Sequence, residues 1–270
     1  MSYSILDVIV SPIMFSFKSL ILIIVHTKDN IIPSSILLCL DGLYCTCFGI
    51  SMGMFAVQFI YRYLFAVDSK HLQTFNDHRI IYWMMVPAIY GIIWGSSCYF
   101  LLAPSYEKDK QLENILLLTF GWEIQDDTYL GPYFYQIQPD GSYKIDLMSV
   151  IGATISWLMV SASFFAILFF GIKCYLNLSK TMRLTSRKSN HLSSQLFYAL
   201  VTSTIIPIIL LHIPIAIVML FSFFDKDLGI LSGITSVTIA LFPALDPLPS
   251  MFIVKNYRTT IFGNQLSEKK

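Results

Sequence analysis

The stretch LFPALDPLPSMFIVKNYR, residues 241–258, is apolar for most of its length, holds Asp246 between two prolines, and then turns basic at Lys255 and Arg258. This pattern is typical of a membrane-spanning helix that leaves the bilayer, because basic residues are retained on the cytoplasmic side. A charge near the bilayer centre costs about 2.5–3.5 kcal/mol, so Asp246 is expected to have a role inside a helix bundle.

The rest of the sequence has the same character. Of its 270 residues 55% are hydrophobic and 13% are charged, about half the charge density of a soluble domain. Roughly 20 apolar residues span a bilayer as a helix. The low-charge runs therefore predict an all-α, polytopic membrane helix bundle, a single domain over residues 1–270, with crossings at about 2–27, 35–67, 80–104, 147–177, 196–224 and 228–254.

The basic residues predict the orientation of this bundle. Successive connections between the crossings lie on opposite sides of the membrane. The connections on one side, together with the C-terminal tail, carry 12 Lys or Arg residues, and those on the other side carry five. The basic side, which includes the linker 172–195 and the tail 255–270, is therefore expected in the cytoplasm. The connection 105–146 is acidic and much longer than the others, so we expect an extracellular loop that covers the outer end of the bundle.

Two opposite charges predict a ligand site in the outer half of the bundle. At a helical rise of about 1.5 Å per residue, Lys18 and Asp41 lie at matched depth, so we expect them to face each other in one polar cavity. Tyr44, Trp94 and Tyr99 are the expected aromatic neighbours. The alternative is that Lys18 reaches the membrane surface and Asp41 only hydrogen-bonds the bundle together.

His212 falls well inside the predicted crossing at 196–224, near Pro214. It either lines a polar cavity, as a further ligand-binding candidate, or bonds to a neighbouring carbonyl group.

A second group of polar residues lies toward the cytoplasmic side. Asp7 and Asp246 both fall in the inner half, where Pro247 would bend the helix and free carbonyl groups. We expect Asp246 to point toward Asp7 or toward polar groups on the crossing at 35–67, and to change partners during a conformational switch. The alternative is a purely structural network. Arg62 is either an interfacial anchor or a contact for a cytosolic partner.

No nucleophile elbow, phosphate-binding loop or His-Glu zinc pair occurs in the sequence, so an enzyme is not expected. No cofactor, metal or nucleic-acid partner is expected either.

Four segments resemble one family: YSILDVIVSP (3–12), QFIYRYLF (58–65), QLFYALVTSTIIPIILLHIP (195–214) and FPALDPLPSMFIVKNYR (242–258). They are similar to the nematode serpentine chemoreceptors of the Str superfamily, with its Str and Srj classes. The resemblance implies a rhodopsin-like seven-helix receptor in the plasma membrane of sensory-neuron cilia. Its expected partners are a small external chemical, such as an odorant, and a heterotrimeric G protein.

The resemblance also implies roles for individual residues. Arg62 stands where the helix-three arginine of such receptors engages the G protein, although Tyr61 replaces the preceding acid. Asp246 and Pro247 stand at the Asn/Asp-Pro element of helix seven, and Lys255 and Arg258 mark the exit into the cytosol. YSILDVIVSP looks like the second helix of the family, so six crossings, partly truncated, are expected without helix one.

Two other functions stay open at this point. Six crossings with intramembrane charges also suit a channel or transporter, although no potassium-filter sequence or arginine ladder is present. A receptor remnant that binds but does not signal is the third possibility.

Overall fold

The computed structural model describes residues 6, 8–26, 33–121, 127–137, 142–184, 198–199 and 201–253. Asp7, Lys255, Arg258 and the tail 255–270 lie outside the described residues. In chain order the strands are β1 (Ile13–Phe17), β2 (Leu20–His26), β3 (Asp127–Leu130), β4 (Tyr135–Ile137) and β5 (Tyr143–Ile145). The helices are α1 (Ser34–Ala66), α2 (Ile80–Leu101), α3 (Tyr106–Phe120), α4 (Leu147–Leu184), α5 (Val201–Phe223), α6 (Gly233–Leu245) and α7 (Leu248–Ile253).

Four of the predicted crossings coincide with helices that are long and apolar enough to span a membrane. These are α1, α2, residues Leu147–Asn177 of α4, and α5. The last predicted crossing, 228–254, is divided, because Ile230–Leu245 is a shorter apolar helix and a turn at Asp246 and Pro247 separates it from α7. The described chain is therefore mainly a bundle of apolar helices, as the composition predicts.

The α1 and α2 helices approach closely along matching glycines. Gly49 of α1 lies against Gly91 of α2, Gly53 lies against Pro87, and Gly95 lies against Thr46. Gly49 and Gly53, like Gly91 and Gly95, have the small-xxx-small spacing that lets membrane helices pack backbone to backbone. A methyl group on Gly53 would lie 2.8 Å from the Cα of Pro87, so a side chain there would push the helices apart. Dispersion contacts along this interface stabilise the pair inside a lipid phase.

The predicted helix over residues 2–27 is wrong for residues 13–26. These residues form an antiparallel β-hairpin in which Phe17 pairs with Leu20, and Lys18 occupies the tight turn with φ of 51°. The strand β2 also pairs with β3 from the loop 105–146. Both faces of β2 are buried, so the strand lacks the alternation of polar and apolar residues that distinguishes a strand from an apolar helix in sequence.

The hairpin, β3 and α3 form a cap over one end of the helix bundle. Leu22 and Ile24 of β2 pack against Leu112 and Leu116 of α3 in a separate apolar core. Ile23, on the opposite face of the same strand, packs against the core of the helix bundle. The hairpin thus joins two hydrophobic layers, with α3 on one side and the membrane helices on the other.

Hydrogen bonds fasten the hairpin to the connection between α5 and α6. The backbone N–H of Ser16 donates to Ser232 Oγ at 2.8 Å, and the Gly229 N–H donates to the Ser16 carbonyl at 2.9 Å. The hydroxyls of Ser16 and Ser222 lie 2.7 Å apart, and the three serines are buried. Because buried polar groups need partners, this network fixes the position of β1 on the bundle.

Candidate functional site

A cavity of about 100 Å³ lies between the cap and the helix bundle. The hairpin supplies one wall, and five helices supply the others. Its lining is mostly apolar and aromatic: Pro12, Met14, Ile21, Ile23, Tyr44, Cys45, Phe48, Trp94, Cys98, Leu102, Leu130, Gly131, Pro132, Ala153, Ser156, Ile215, Val218, Met219, Ser236 and Ile239. We call it the cap cavity. An apolar cavity of about 150 Å³ holds a benzene molecule, so this smaller one suits a ligand below the size of benzene.

Helical spacing brings the predicted residues of α1 to one face. Asp41, Tyr44, Cys45 and Phe48 follow one another at intervals of three, one and three residues, and the last three line the cap cavity. Asp41 is fully buried one turn beyond Cys45. Within the described part of the chain, neither carboxylate oxygen of Asp41 has a hydrogen-bond partner.

The predicted pair of Lys18 and Asp41 is wrong. Lys18 is exposed in the hairpin turn, where its ammonium group lies 5.7 Å from the centre of the Phe17 ring. The expectation that Lys18 and Asp41 lie at the same depth assumed a helix over residues 2–27. Because residues 13–26 form a hairpin instead, the helical rise no longer gives the position of Lys18. Tyr99 does not line the cap cavity either. Its hydroxyl instead lies 3.8 Å from the Cys39 thiol. Tyr44 and Trp94 do line that cavity.

His212 lines a different cavity, of about 170 Å³, between α4 and α5. We call it the His212 cavity. The Nδ1 atom of His212 is 3.0 Å from the Pro207 carbonyl oxygen, and its ring centre is 5.5 Å from that of Phe164. Both alternatives left open by the sequence therefore occur together, because one ring nitrogen bonds to a carbonyl group while the residue also lines a cavity.

Asp246 lines a third cavity, of about 300 Å³, between α1, α5 and α6. We call it the Asp246 cavity. Phe48 and Ile239 line both this cavity and the cap cavity, so they separate one from the other. The carboxylate of Asp246 and the guanidinium of Arg62 on α1 attract each other electrostatically. The structure thus brings together two residues that the sequence singled out separately.

The inner end of α1 has further contacts around Arg62. The guanidinium lies 5.4 Å from the centre of the Phe59 ring. From α4, the Cys174 thiol lies 3.7 Å from the Arg62 carbonyl oxygen, and the Asn177 side-chain amide donates to the Ala66 carbonyl at 2.5 Å. These contacts hold the backbone of α1, while the Arg62 side chain interacts with α6.

The cap contains a buried charge of its own. Lys108 of α3 is 2% exposed and donates to the carbonyls of Ala103 at 2.9 Å and Gly131 at 3.0 Å. Burial lowers the pKa of Lys108 to about 8, and the carboxylates of Asp146 and Asp109 act in the opposite direction. Asp109 also accepts a hydrogen bond from the Tyr129 hydroxyl at 2.6 Å, and burial together with this bond raises the Tyr129 pKa.

Several residues of the candidate site escape sequence reasoning. Met14, Ile21 and Ile23 line the cap cavity from the hairpin, which the sequence presents as a membrane helix. Met219 lines the cap cavity and the His212 cavity, and no local pattern distinguishes it from other core residues. The signal available in the sequence was the stripe on α1, where a carboxylate, a tyrosine and a cysteine share one helical face.

A bundle of long apolar helices around a small apolar cavity defines a multi-pass membrane protein with a site of small-molecule size. The chain belongs to the family described as "Serpentine type 7TM GPCR chemoreceptor Str", whose sequence profile matches residues 1–262. This confirms the resemblance noted in the sequence.

Individual relatives agree with this assignment. "G-protein coupled receptor str-217" of Caenorhabditis elegans is 35% identical over 97% of this chain and 76% of its own length. "Serpentine receptor class r-10" of the same organism is 26% identical over 99% of this chain and 78% of its own length. "G-protein coupled receptor str-33", also from Caenorhabditis elegans, is 26% identical over 96% of this chain and 76% of its own length. No solved structure matches the chain.

Proposed function

We propose that this serpentine receptor detects a small, mainly apolar external chemical in the cap cavity and signals to a heterotrimeric G protein. The observation that carries the proposal is the cap cavity itself, an apolar space of about 100 Å³ enclosed by the hairpin and the bundle. Small-molecule sites are typically concave and mostly apolar, with a few polar groups that fix orientation. Ser156, Ser236 and the two thiols of Cys45 and Cys98 would supply those groups.

The arrangement of the cavities supports a route from ligand to the cytoplasmic side. A ligand in the cap cavity would press on Phe48 and Ile239, which also line the Asp246 cavity. A shift of either side chain would change the space around Asp246 and with it the attraction to Arg62. A ligand changes such an equilibrium only through its different affinity for the two arrangements.

Family membership supports a proposal for the location of this activity. The charge distribution places the cap outside the cell and the inner end of α1 in the cytoplasm. A chemical from outside would then meet the cap first, and a G protein would meet the end of α1 that carries Arg62. We expect the receptor in the plasma membrane of sensory-neuron cilia.

A reporter assay tests the proposed function. Cells that express the full chain with a G-protein-dependent reporter are exposed to a panel of volatile compounds graded in size, from acetone and isobutane to benzene and toluene. Ala153 is buried and lines the cap cavity, so Ala153→Leu fills the space and abolishes the response to any active compound. Ala216→Leu fills the His212 cavity instead and serves as the matched control.

Two outcomes would contradict the proposal. A response that persists in Ala153→Leu at equal surface level would place the ligand elsewhere. An ionic current evoked by the same compounds without any G protein would favour the channel alternative. A third result, in which toluene stabilises the purified protein but no compound evokes a response, would favour a receptor that binds without signalling.

A further inference from the structure

We propose that the His212 cavity is a second ligand site, separate from the cap cavity, for a small molecule that carries a neutral hydroxyl group on an apolar body. The inference comes from one buried nitrogen atom. The Nε2 atom of His212 has no hydrogen-bond partner within the described structure, and the residue is 3% exposed. A buried polar atom without a partner is uncommon in a folded protein and calls for an explanation.

The other ring nitrogen determines the chemistry of Nε2. The Pro207 carbonyl oxygen, 3.0 Å from Nδ1, accepts hydrogen bonds and cannot donate them. The proton of a neutral imidazole must therefore lie on Nδ1, which leaves a bare lone pair on Nε2. The Nε2 atom is thus an acceptor, and the missing partner is a hydrogen-bond donor.

The cavity walls restrict the kind of donor. The residues around His212 are mostly apolar or aromatic and include Trp157, Phe164 and Met219, with Ser161 as a polar neighbour. No carboxylate of the described residues lines this cavity, so an ammonium group would be buried there without a counter-ion from them, which is costly. A neutral O–H group satisfies Nε2 without that cost, and an apolar body suits the walls.

The backbone holds His212 rigidly in this position. Residues Ile208–His212 form a π-helical turn, in which the Ile213 N–H donates to the Ile208 carbonyl. Such turns are rare, and they occur frequently at functional sites. Pro207 supplies the carbonyl that orients the imidazole, and Pro214 is the second residue of the following α-helical segment, so a proline lies on either side of the turn.

The size of the His212 cavity, about 170 Å³, matches a compound such as benzyl alcohol more closely than a whole lipid. A hydroxyl group of this kind also occurs on membrane sterols, which could insert one end. The two sources share the same chemistry, an O–H donor beside a flat or branched apolar group. Met219 lines both this cavity and the cap cavity and so forms part of the wall between them.

The experiment compares benzyl alcohol with toluene, which differs by the hydroxyl group. The full chain is purified in sterol-free lipid nanodiscs in the Ala153→Leu background, which fills the cap cavity and isolates the second site. Affinities follow from the concentration dependence of the melting temperature. We expect benzyl alcohol to bind about two- to tenfold more tightly than toluene, the range for one net hydrogen bond. His212→Leu should remove this difference, and Ala216→Leu should remove both affinities.

A second readout does not depend on stability. In protein with 15N-labelled histidine, benzyl alcohol should shift the Nε2 resonance that disappears in His212→Leu, whereas toluene should not. Equal affinities for the two compounds, or an unchanged Nε2 resonance, would overturn the proposal. Competition of benzyl alcohol by cholesterol in the nanodiscs would identify a membrane sterol as the occupant, and absence of competition would identify a free alcohol. Neither result affects the cap cavity, because the proposed function is tested there separately.

Discussion

Arg62 of α1 and Asp246 at the end of α6 attract each other across the interior of the helix bundle. Each is partly buried among apolar residues, where an unpaired charge would be expensive. Asp246 also lines a cavity that shares Phe48 and Ile239 with the cap cavity. The two charges therefore connect the C-terminal end of α1 with α6, a helix that forms part of the cap cavity.

We predict that Asp246→Ala weakens signalling per surface receptor and leaves surface level and binding in the cap cavity nearly unchanged. The charge pair lies away from the cap cavity. Its loss should therefore alter the proposed conformational change around Asp246 and leave the contacts with a ligand in the cap cavity intact. Arg62→Gln and the double variant complete a mutant cycle. If the residues act through each other, the double variant signals about as weakly as the worse single variant. Asp77→Ala, at an exposed carboxylate, is the control.

Unchanged signalling in Asp246→Ala, after correction for surface level, would mean that Asp246 only holds the bundle together. Strictly additive losses in the double variant would mean that Arg62 and Asp246 act independently, for example through separate contacts with a G protein.

We predict that Asp41→Leu raises the melting temperature of the protein in lipid nanodiscs. The Asp41 carboxylate is fully buried and lacks a hydrogen-bond partner in the described residues, so replacing it removes a desolvation cost of about 1–3 kcal/mol. Leucine has a similar size and suits the apolar surroundings. Asp146→Leu is the contrasting variant and should destabilise the cap, because Asp146 accepts a hydrogen bond of 2.7 Å from Ser149. A lower melting temperature for Asp41→Leu would reveal a partner for the carboxylate, such as a bound cation.

We predict that Asn177, although it begins an Asn-Leu-Ser sequon, stays unglycosylated. The charge distribution predicts that it lies on the cytoplasmic side, and its amide nitrogen already donates to the Ala66 carbonyl at 2.5 Å. A tag after Lys270 should correspondingly be inaccessible to antibody on intact cells. An endoglycosidase shift that disappears in Asn177→Gln, or labelling of the tag without permeabilisation, would reverse the proposed orientation.

Hydropathy was sufficient to predict the helices that dominate the fold. A single apolar segment such as 147–177 is stable in lipid as a helix, because a helix satisfies all its backbone hydrogen bonds internally. The hairpin at residues 13–26 could not be predicted in this way. Its β2 strand is apolar on both faces because α3 covers one and the bundle covers the other, and this double burial depends on a loop more than 80 residues away.

The candidate site shows the same division. Asp246 and Arg62 could be singled out because a charge within an apolar run is conspicuous in sequence. Their attraction to each other depends on the packing of α1 against α6, which the sequence alone does not provide. The position of His212, whose Nε2 has no partner among the described residues, depends on a π-helical turn. From the sequence, the nearby prolines predict only a kink at this point.

The last prediction concerns the pH dependence of the cap. Lys108 has a pKa of about 8 in the folded protein against an ordinary value of 10.5, because burial disfavours its charged form. Above pH 8 the folded state releases this proton while the unfolded state keeps it. Stability therefore rises with pH between about 8 and 10.5, where the unfolded state binds more protons. Both hydrogen bonds survive, since a neutral amine still has two protons for the carbonyls of Ala103 and Gly131.

Hydrogen exchange of the β2 amides measures this effect when wild type and Lys108→Met are compared at equal pH, so that the intrinsic exchange chemistry cancels. We expect the opening free energy of the wild type, relative to Lys108→Met, to increase by about 2 kcal/mol from pH 7 to 9.5. Tyr129 remains protonated in this window because its pKa is raised. A wild-type advantage that does not change with pH would mean that Lys108 stays charged, with Asp109 and Asp146 fully offsetting the cost of its burial.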